Sequence, residues 1–165
     1  MKPRGWSATD VGQKRDHNED SFLCSDQLGL YAVADGMGGH LGGEQASRMA
    51  IEVLEREMRA RLFPTADGPQ SASVGEAMRE ATMLASHAIY DSAQAIPERA
   101  GMGTTLTGLC FSGGSLSLCH VGDSRAYLLR DGRARQLTQD HSWIQEQVRA
   151  GLLSPGDAIA SRFRN

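Results

Sequence analysis

The spacing of hydrophobic positions changes along the chain, and each change predicts a change of element. Ser21–Ser25 and Leu30–Ala34 are short apolar runs joined by Asp26-Gln-Leu-Gly29, which predicts two strands paired as an antiparallel hairpin. Ahead of them, residues 6–20 read as a short strand, a turn near Gly12 and a solvated polar run from Lys14 to Asp20. From Gly42-Gly43-Glu44 the period becomes helical. Ala46, Met49, Ala50, Val53, Leu54 and Met58 then fall on one face. After a loop over residues 63–73, a second stripe of Val74, Ala77, Met78, Ala81, Leu84, Ala85 and Ala88 predicts a second helix. The methionines on both stripes read as core filler. Beyond Gly101-Met-Gly-Thr-Thr105 strands return, over 104–111 and 115–121 around Gly113-Gly114, and over 125–130 and 133–137 around Asp131-Gly132. A helix over 142–151, capped by Ser142, and a shorter one opened by Ser154-Pro155 complete the pattern. Runs of one type with hairpins inside them predict an α+β fold of antiparallel sheets with helices packed outside, not βαβ units. A nucleotide-binding α/β fold lacks its G-x-G-x-x-G or P-loop signature here.

The first hairpin has a chemical consequence. Its antiparallel pairing brings Glu19 and Asp20, entering one strand, beside Asp35 at the end of the other. Carboxylates crowd together where a cation compensates them, which points to a metal. Glycine at position 36 can adopt backbone angles closed to other residues. Its carbonyl is therefore expected to point the same way as the Asp35 carboxylate, an oxygen-only pair suited to a hard divalent cation. Asp-Gly is also the commonest turn dipeptide, so this pair by itself supports a plain turn equally well. Val121-Gly-Asp-Ser-Arg125 sets a further carboxylate, Asp123, beside glycine at a strand end, with Arg125 expected to pair with a nearby carboxylate. His40 and His141 follow loop motifs and read as structural hydrogen-bonding residues, and His87 as a surface or packing residue.

Composition narrows the partners. The 165 residues suffice for one sizeable core and read as a single domain. A net charge of −3 excludes a broad electrostatic attraction to nucleic acid or an anionic membrane, while leaving room for a local anion site. Cys24, Cys110 and Cys119 lie in apolar strand-like runs without metal-ligand spacing, and are expected to be buried free thiols of a reducing compartment. The N-terminus lacks the apolar core of a signal peptide, and no apolar run reaches the ~18 residues of a membrane span. A soluble, cytoplasmic, monomeric protein is expected.

Taken in order, the segments resemble the bacterial branch of the metal-dependent type 2C protein serine/threonine phosphatases. The matching residues are Gly12-x-x-Arg15-x-x-Asn18-Glu19-Asp20, Val33-Ala-Asp-Gly-Met-Gly-Gly-His40 and Gly42-x-x-x-Ala46-Ser47. They continue through Gly103-Thr-Thr105, His120-Val-Gly-Asp-Ser-Arg125, Arg130-Asp-Gly132 and Leu137-Thr-x-Asp-His141-Ser142, and the set is highly specific. The resemblance implies an antiparallel β-sandwich flanked by helices on both faces, four layers in the order α-β-β-α. It implies hydrolysis of phosphoserine and phosphothreonine in proteins by a hydroxide bridging two manganese or magnesium ions, usually in opposition to a serine/threonine kinase. Asp35 would bridge the ions and the Gly36 carbonyl would bind one of them. Glu19 would hold the second through water with Asp20 in support, and Asp123 matches the position of an additional, weaker metal. Arg15 matches the arginine that clamps the substrate phosphate. Where some relatives carry a histidine after Asp-Gly, this chain has Met37, and no general acid can be named.

The resemblance stops at Asn165, short of the family's usual end. Two further metal-binding aspartates and the last strands and helices are expected beyond it, and Asp157 matches neither aspartate. Residues 1–165 thus read as the N-terminal part of one phosphatase domain, incomplete at its C-terminus. Two functions follow: a metal-dependent phosphatase, or a truncated, inactive relative that binds a phosphoprotein or another partner through Arg15 and an exposed sheet edge. For the 165 residues alone, little or no turnover is expected.

Overall fold

The computed structural model describes residues 2–63, 73–142, 147–154 and 156. The chain divides into two compact units, Met1–His120 and Val121–Asn165.

The first unit is a sheet with two helices on one side. Strands β1 (Asp20–Ser25) and β2 (Leu30–Met37) form the expected antiparallel hairpin, followed by α1 (His40–Leu62) and α2 (Val74–Ala95). Then come β3 (Gly103–Thr104), β4 (Leu106–Ser112) and β5 (Ser115–Val121). The order across the sheet is β1-β2-β4-β5, with β3 pairing the far end of β2. Burial alternates strictly along β2. Leu30, Ala32, Ala34 and Gly36 face inward, while Val33, Asp35 and Met37 are exposed. The inward residues join Leu106 and Cys110 of β4 against Ala46, Ala50, Leu54 and Met58 of α1 and Ala77, Met78 and Ala81 of α2. The helices are tied to each other by Arg61, whose guanidinium bonds Glu57 Oε2 at 2.6 Å and Glu80 Oε2 at 3.2 Å. Its side chain is only 7% exposed, so this ion pair sits within the helix interface.

The second unit carries the hairpin of β6 (Tyr127–Arg130) and β7 (Arg133–Gln136), antiparallel, with Arg130 directly opposite Arg133. Antiparallel sheets with helices, the α+β class, are what the chain has.

Several sequence expectations shift. No strand forms over 6–19, where Gly12 N–H bonds Asp10 Oδ1 at 2.7 Å and Asn18 bonds Thr9 Oγ1 at 2.7 Å within the segment. Just ahead of it, Gly5 N–H bonds Asp26 Oδ1 at 2.9 Å. Tyr31 donates its hydroxyl to the same Asp26 oxygen at 2.7 Å, and burial, then this bond, pushes its pKa up to about 12. The first helix starts at His40, ahead of Gly42, and β2 runs on through Asp35-Gly36 to Met37. Leu84 is exposed, and Ile89 takes the inward position further along α2. Ser73 caps that helix by accepting from Glu76 N–H at 3.1 Å. Cys110 is buried, but Cys24 is exposed, because its place in β1 falls on the outward side of the alternation. Of the helix expected over 142–151, residues 147–149 are helical and 143–146 lie outside the described residues, as do 64–72 of the loop and Pro155.

Candidate metal centre

The register of the first hairpin builds the site. Asp20 stands directly opposite Asp35, Ser21 opposite Ala34 and Phe22 opposite Val33. Directly opposed residues project on the same face of a sheet, with Cβ atoms about 5 Å apart, so the two carboxylates share the exposed face. Like charges so placed repel, and a divalent cation between them would relieve that cost. Glu19 is one residue earlier and half-buried, and its carbonyl accepts the Gly36 N–H at 3.1 Å. The structure thus gathers Glu19, Asp20, Asp35 and Gly36 at one end of the β1–β2 pair.

Asp35 is not at a strand tip, as the sequence suggests; it is held inside a strand from both sides. On its other flank Thr105 accepts the Asp35 N–H through Oγ1 at 2.9 Å and returns its own N–H to the Asp35 carbonyl at 2.9 Å. Thr104 Oγ1 bonds that same carbonyl at 3.0 Å. These two threonines fix the carboxylate's backbone, a role that the sequence did not reveal beyond the Gly103-Thr-Thr105 motif. Asn18 shapes the approach to β1, accepting the Asp20 N–H at 3.0 Å and reaching Thr9 at 2.7 Å.

The reason for glycine at position 36 also differs from the expectation. Gly36 is absent from the residues with positive φ, so unusual backbone angles do not explain it. A Cβ there would collide with the carbonyl oxygens of Gly43 and Glu19, and a Cβ on Gly43 would collide with Glu19 Oε2. The first turn of α1 is pressed against the strand and the acidic loop, and only two glycines allow it. Behind them, Ser47, fully buried, bonds Ser21 Oγ at 2.9 Å and seats the helix on β1.

Arg15 lies exposed on the loop that leads to Glu19. Asp123 belongs to the second unit, exposed beside Gly122. In that unit Arg125 pairs with Asp140 as expected, bidentate through Nε at 2.9 Å and Nη2 at 2.6 Å. That bonding, Asp140 first, holds the Arg125 guanidinium charged above its usual range. The His141 N–H bonds the Gly122 carbonyl at 2.7 Å, and His120 Nδ1 meets Thr107 Oγ1 at 2.9 Å in the first unit.

The donor set of carboxylates and backbone carbonyl suits a hard, oxygen-seeking cation such as Mn2+ or Mg2+. Among the described residues, no group of three or more histidine, cysteine, aspartate or glutamate side chains converges on one point. A cation held here would need ligands beyond these residues.

Residues 8–150 match the family model described as protein phosphatase 2C, and the chain belongs to that family. It is 39% identical over 150 residues to the serine/threonine protein phosphatase PstP of Mycobacterium tuberculosis, covering 91% of this chain and 27% of that protein. It is 38% identical over 163 residues to the serine/threonine phosphatase stp of Listeria welshimeri, covering 95% and 62% respectively. Among solved structures, the PstP catalytic domain in complex with two manganese ions superposes with a TM-score of 0.74 at 39% identity, covering 90% of this chain and 60% of that one. The chain therefore spans less than two thirds of the length of these relatives.

Proposed function

We propose that the chain is the N-terminal part of a phosphatase domain whose intact form hydrolyses phosphoserine and phosphothreonine in proteins with two Mn2+ or Mg2+ ions. The observation that carries this reading is the register setting Asp20 opposite Asp35, with Gly36 bonded to Glu19, inside the stretch that matches the family. Bound ions supply charge neutralisation at the phosphate and acidify water for attack on phosphorus. Asp35 and the Gly36 carbonyl would hold the ions, with Glu19 acting through water and Asp20 in support. Asp123 serves a weaker additional cation. Arg15 clamps the phosphate, its fork matching two phosphate oxygens in a way a lysine would not. The substrates are phosphoproteins in the cytoplasm, with a serine/threonine kinase as the opposing enzyme and the protein acting as a monomer. In support, no helix among the described residues is long and apolar enough to cross a membrane.

The test is hydrolysis of a small aryl phosphate by the purified chain with manganese, with chelator, and with Asp35→Ala. Manganese-dependent turnover that the substitution abolishes supports the reading. A folded chain that neither turns over nor gains thermal stability from manganese counts against it. One observation favours a second reading, binding of a phosphoprotein without hydrolysis: the incomplete convergence of ligands among the described residues. On that reading Arg15→Ala weakens phosphopeptide binding while manganese has no effect.

A further inference from the structure

Arg48, Arg56, Arg59, Arg61, Arg79 and Arg125 each hold a carboxylate. The β6–β7 hairpin instead gathers three arginines on one face. Its two-residue turn, Asp131-Gly132, has φ of 51° and 69°, and its register sets Arg130 opposite Arg133 and Leu128 opposite Arg135. Opposed residues share a face, so Leu128, Arg130, Arg133 and Arg135 stand together, with Tyr127, Leu129, Ala134 and Gln136 on the reverse. The three arginines are exposed, and among the described residues none has a carboxylate within ion-pair distance. A shallow depression of about 450 Å³ runs between them, lined by Leu128, Arg130, Asp131, Arg133, Ala134 and Arg135.

Two guanidiniums directly across a two-stranded ladder repel each other, in a structure that is marginal even without that cost. The whole chain carries a net charge of −3, but residues 121–165 hold seven arginines against five carboxylates, so the face belongs to the basic part of the sequence. We infer that this face docks an acidic peptide segment, the run of Asp, Glu or phosphorylated side chains that flanks the target residue in a phosphoprotein substrate. Guanidinium forks take carboxylates and phosphates bidentately, and Leu128 gives the peptide's aliphatic stems an apolar floor. The face draws two residues from each four-residue strand, which suits two or three anionic side chains of an extended peptide. A nucleic acid or an anionic membrane would need a longer basic track than this short hairpin offers.

The identity of the partner rests on the phosphatase reading, but the binding needs no turnover, so the two fail separately. Fluorescence anisotropy of the full 165-residue chain with a labelled Asp/Glu-rich peptide is compared with the same peptide carrying Asn and Gln. The acidic peptide is expected to bind at least about tenfold tighter, and Arg133→Gln with Arg135→Gln to remove that preference. Arg133→Lys should recover part of it, and Asp35→Ala should leave it intact. Equal binding of both peptides overturns the inference, as does an unchanged preference in a double variant that melts like the wild type. Tighter binding of a single-stranded oligonucleotide or of phosphatidylserine vesicles, lost in the same double variant, overturns it in favour of those partners.

Discussion

The chain uses the dipeptide Asp-Gly twice among the described residues, and glycine does different work in each. At Asp131-Gly132 both residues have positive φ and nothing lies within 4 Å of where a Cβ on the glycine would be. Glycine is there for its backbone freedom, and the result is a tight hairpin turn. At Asp35-Gly36 the backbone is an ordinary strand, and glycine is there because α1 and the Glu19 carbonyl occupy the space of a side chain. One dipeptide turns the chain, and the other lets three segments close around a carboxylate. Spacing and residue type are the same in both, so only the packing distinguishes them.

The strongest way to break this contrast is Gly36→Ala. Its methyl group would meet backbone atoms that cannot swing aside, so it should destabilise the chain by about 3 kcal/mol, read from the urea midpoint. Next in size is Glu57→Gln, which lies away from both dipeptides and provides a yardstick. The hydrogen bond from Arg61 holds the Glu57 carboxyl below its ordinary 4.5, outweighing the opposing effect of burial. A depressed carboxyl contributes stability that is present above its unfolded value and lost as the pH falls through the folded one. The variant should therefore cost about 1–2 kcal/mol at neutral pH, and the difference from wild type should vanish on acidification below the depressed folded pKa. The smallest effect belongs to Gly132→Ala. The positive φ there strains any side chain, but the space is open, so a loss of about 1 kcal/mol in the same urea assay is expected. Should Gly36→Ala cost no more than Gly132→Ala, the packing account of Gly36 is wrong.

Much of the architecture is legible in periodicity. The inward residues of β2, α1 and α2 repeat at strand or helix spacing, so the hairpin, the helices and the return to strands could be read before the structure. The carboxylates of the candidate site were legible for the same reason, because antiparallel pairing of two adjacent runs dictates which ends meet. What could not be read is whatever depends on partners distant in sequence. Thr104 and Thr105 carry no local sign that they grip Asp35. Cys24 sits in an apolar run, yet faces outward because of the register of its strand. The segment over 6–19 has strand-like residues, but its bonds run within itself, Gly12 to Asp10 and Asn18 to Thr9, and no ladder forms. Leu84 fits a helical stripe on paper, yet it is exposed while Ile89 further along is buried.

The grip of Thr105 on Asp35 also sets an order of assembly. The two residues are 70 positions apart, and both α1 and α2 lie between them. The β1–β2 hairpin closes a short loop and can form as soon as its residues are available, bringing Asp20 and Asp35 together early. The second flank of Asp35 exists only once the helical pair has been threaded out and back and β3 has returned to the sheet. The clamp on Asp35 from Thr105 thus depends on a contact made across both helices, whereas the pairing of Asp20 with Asp35 depends only on a local hairpin.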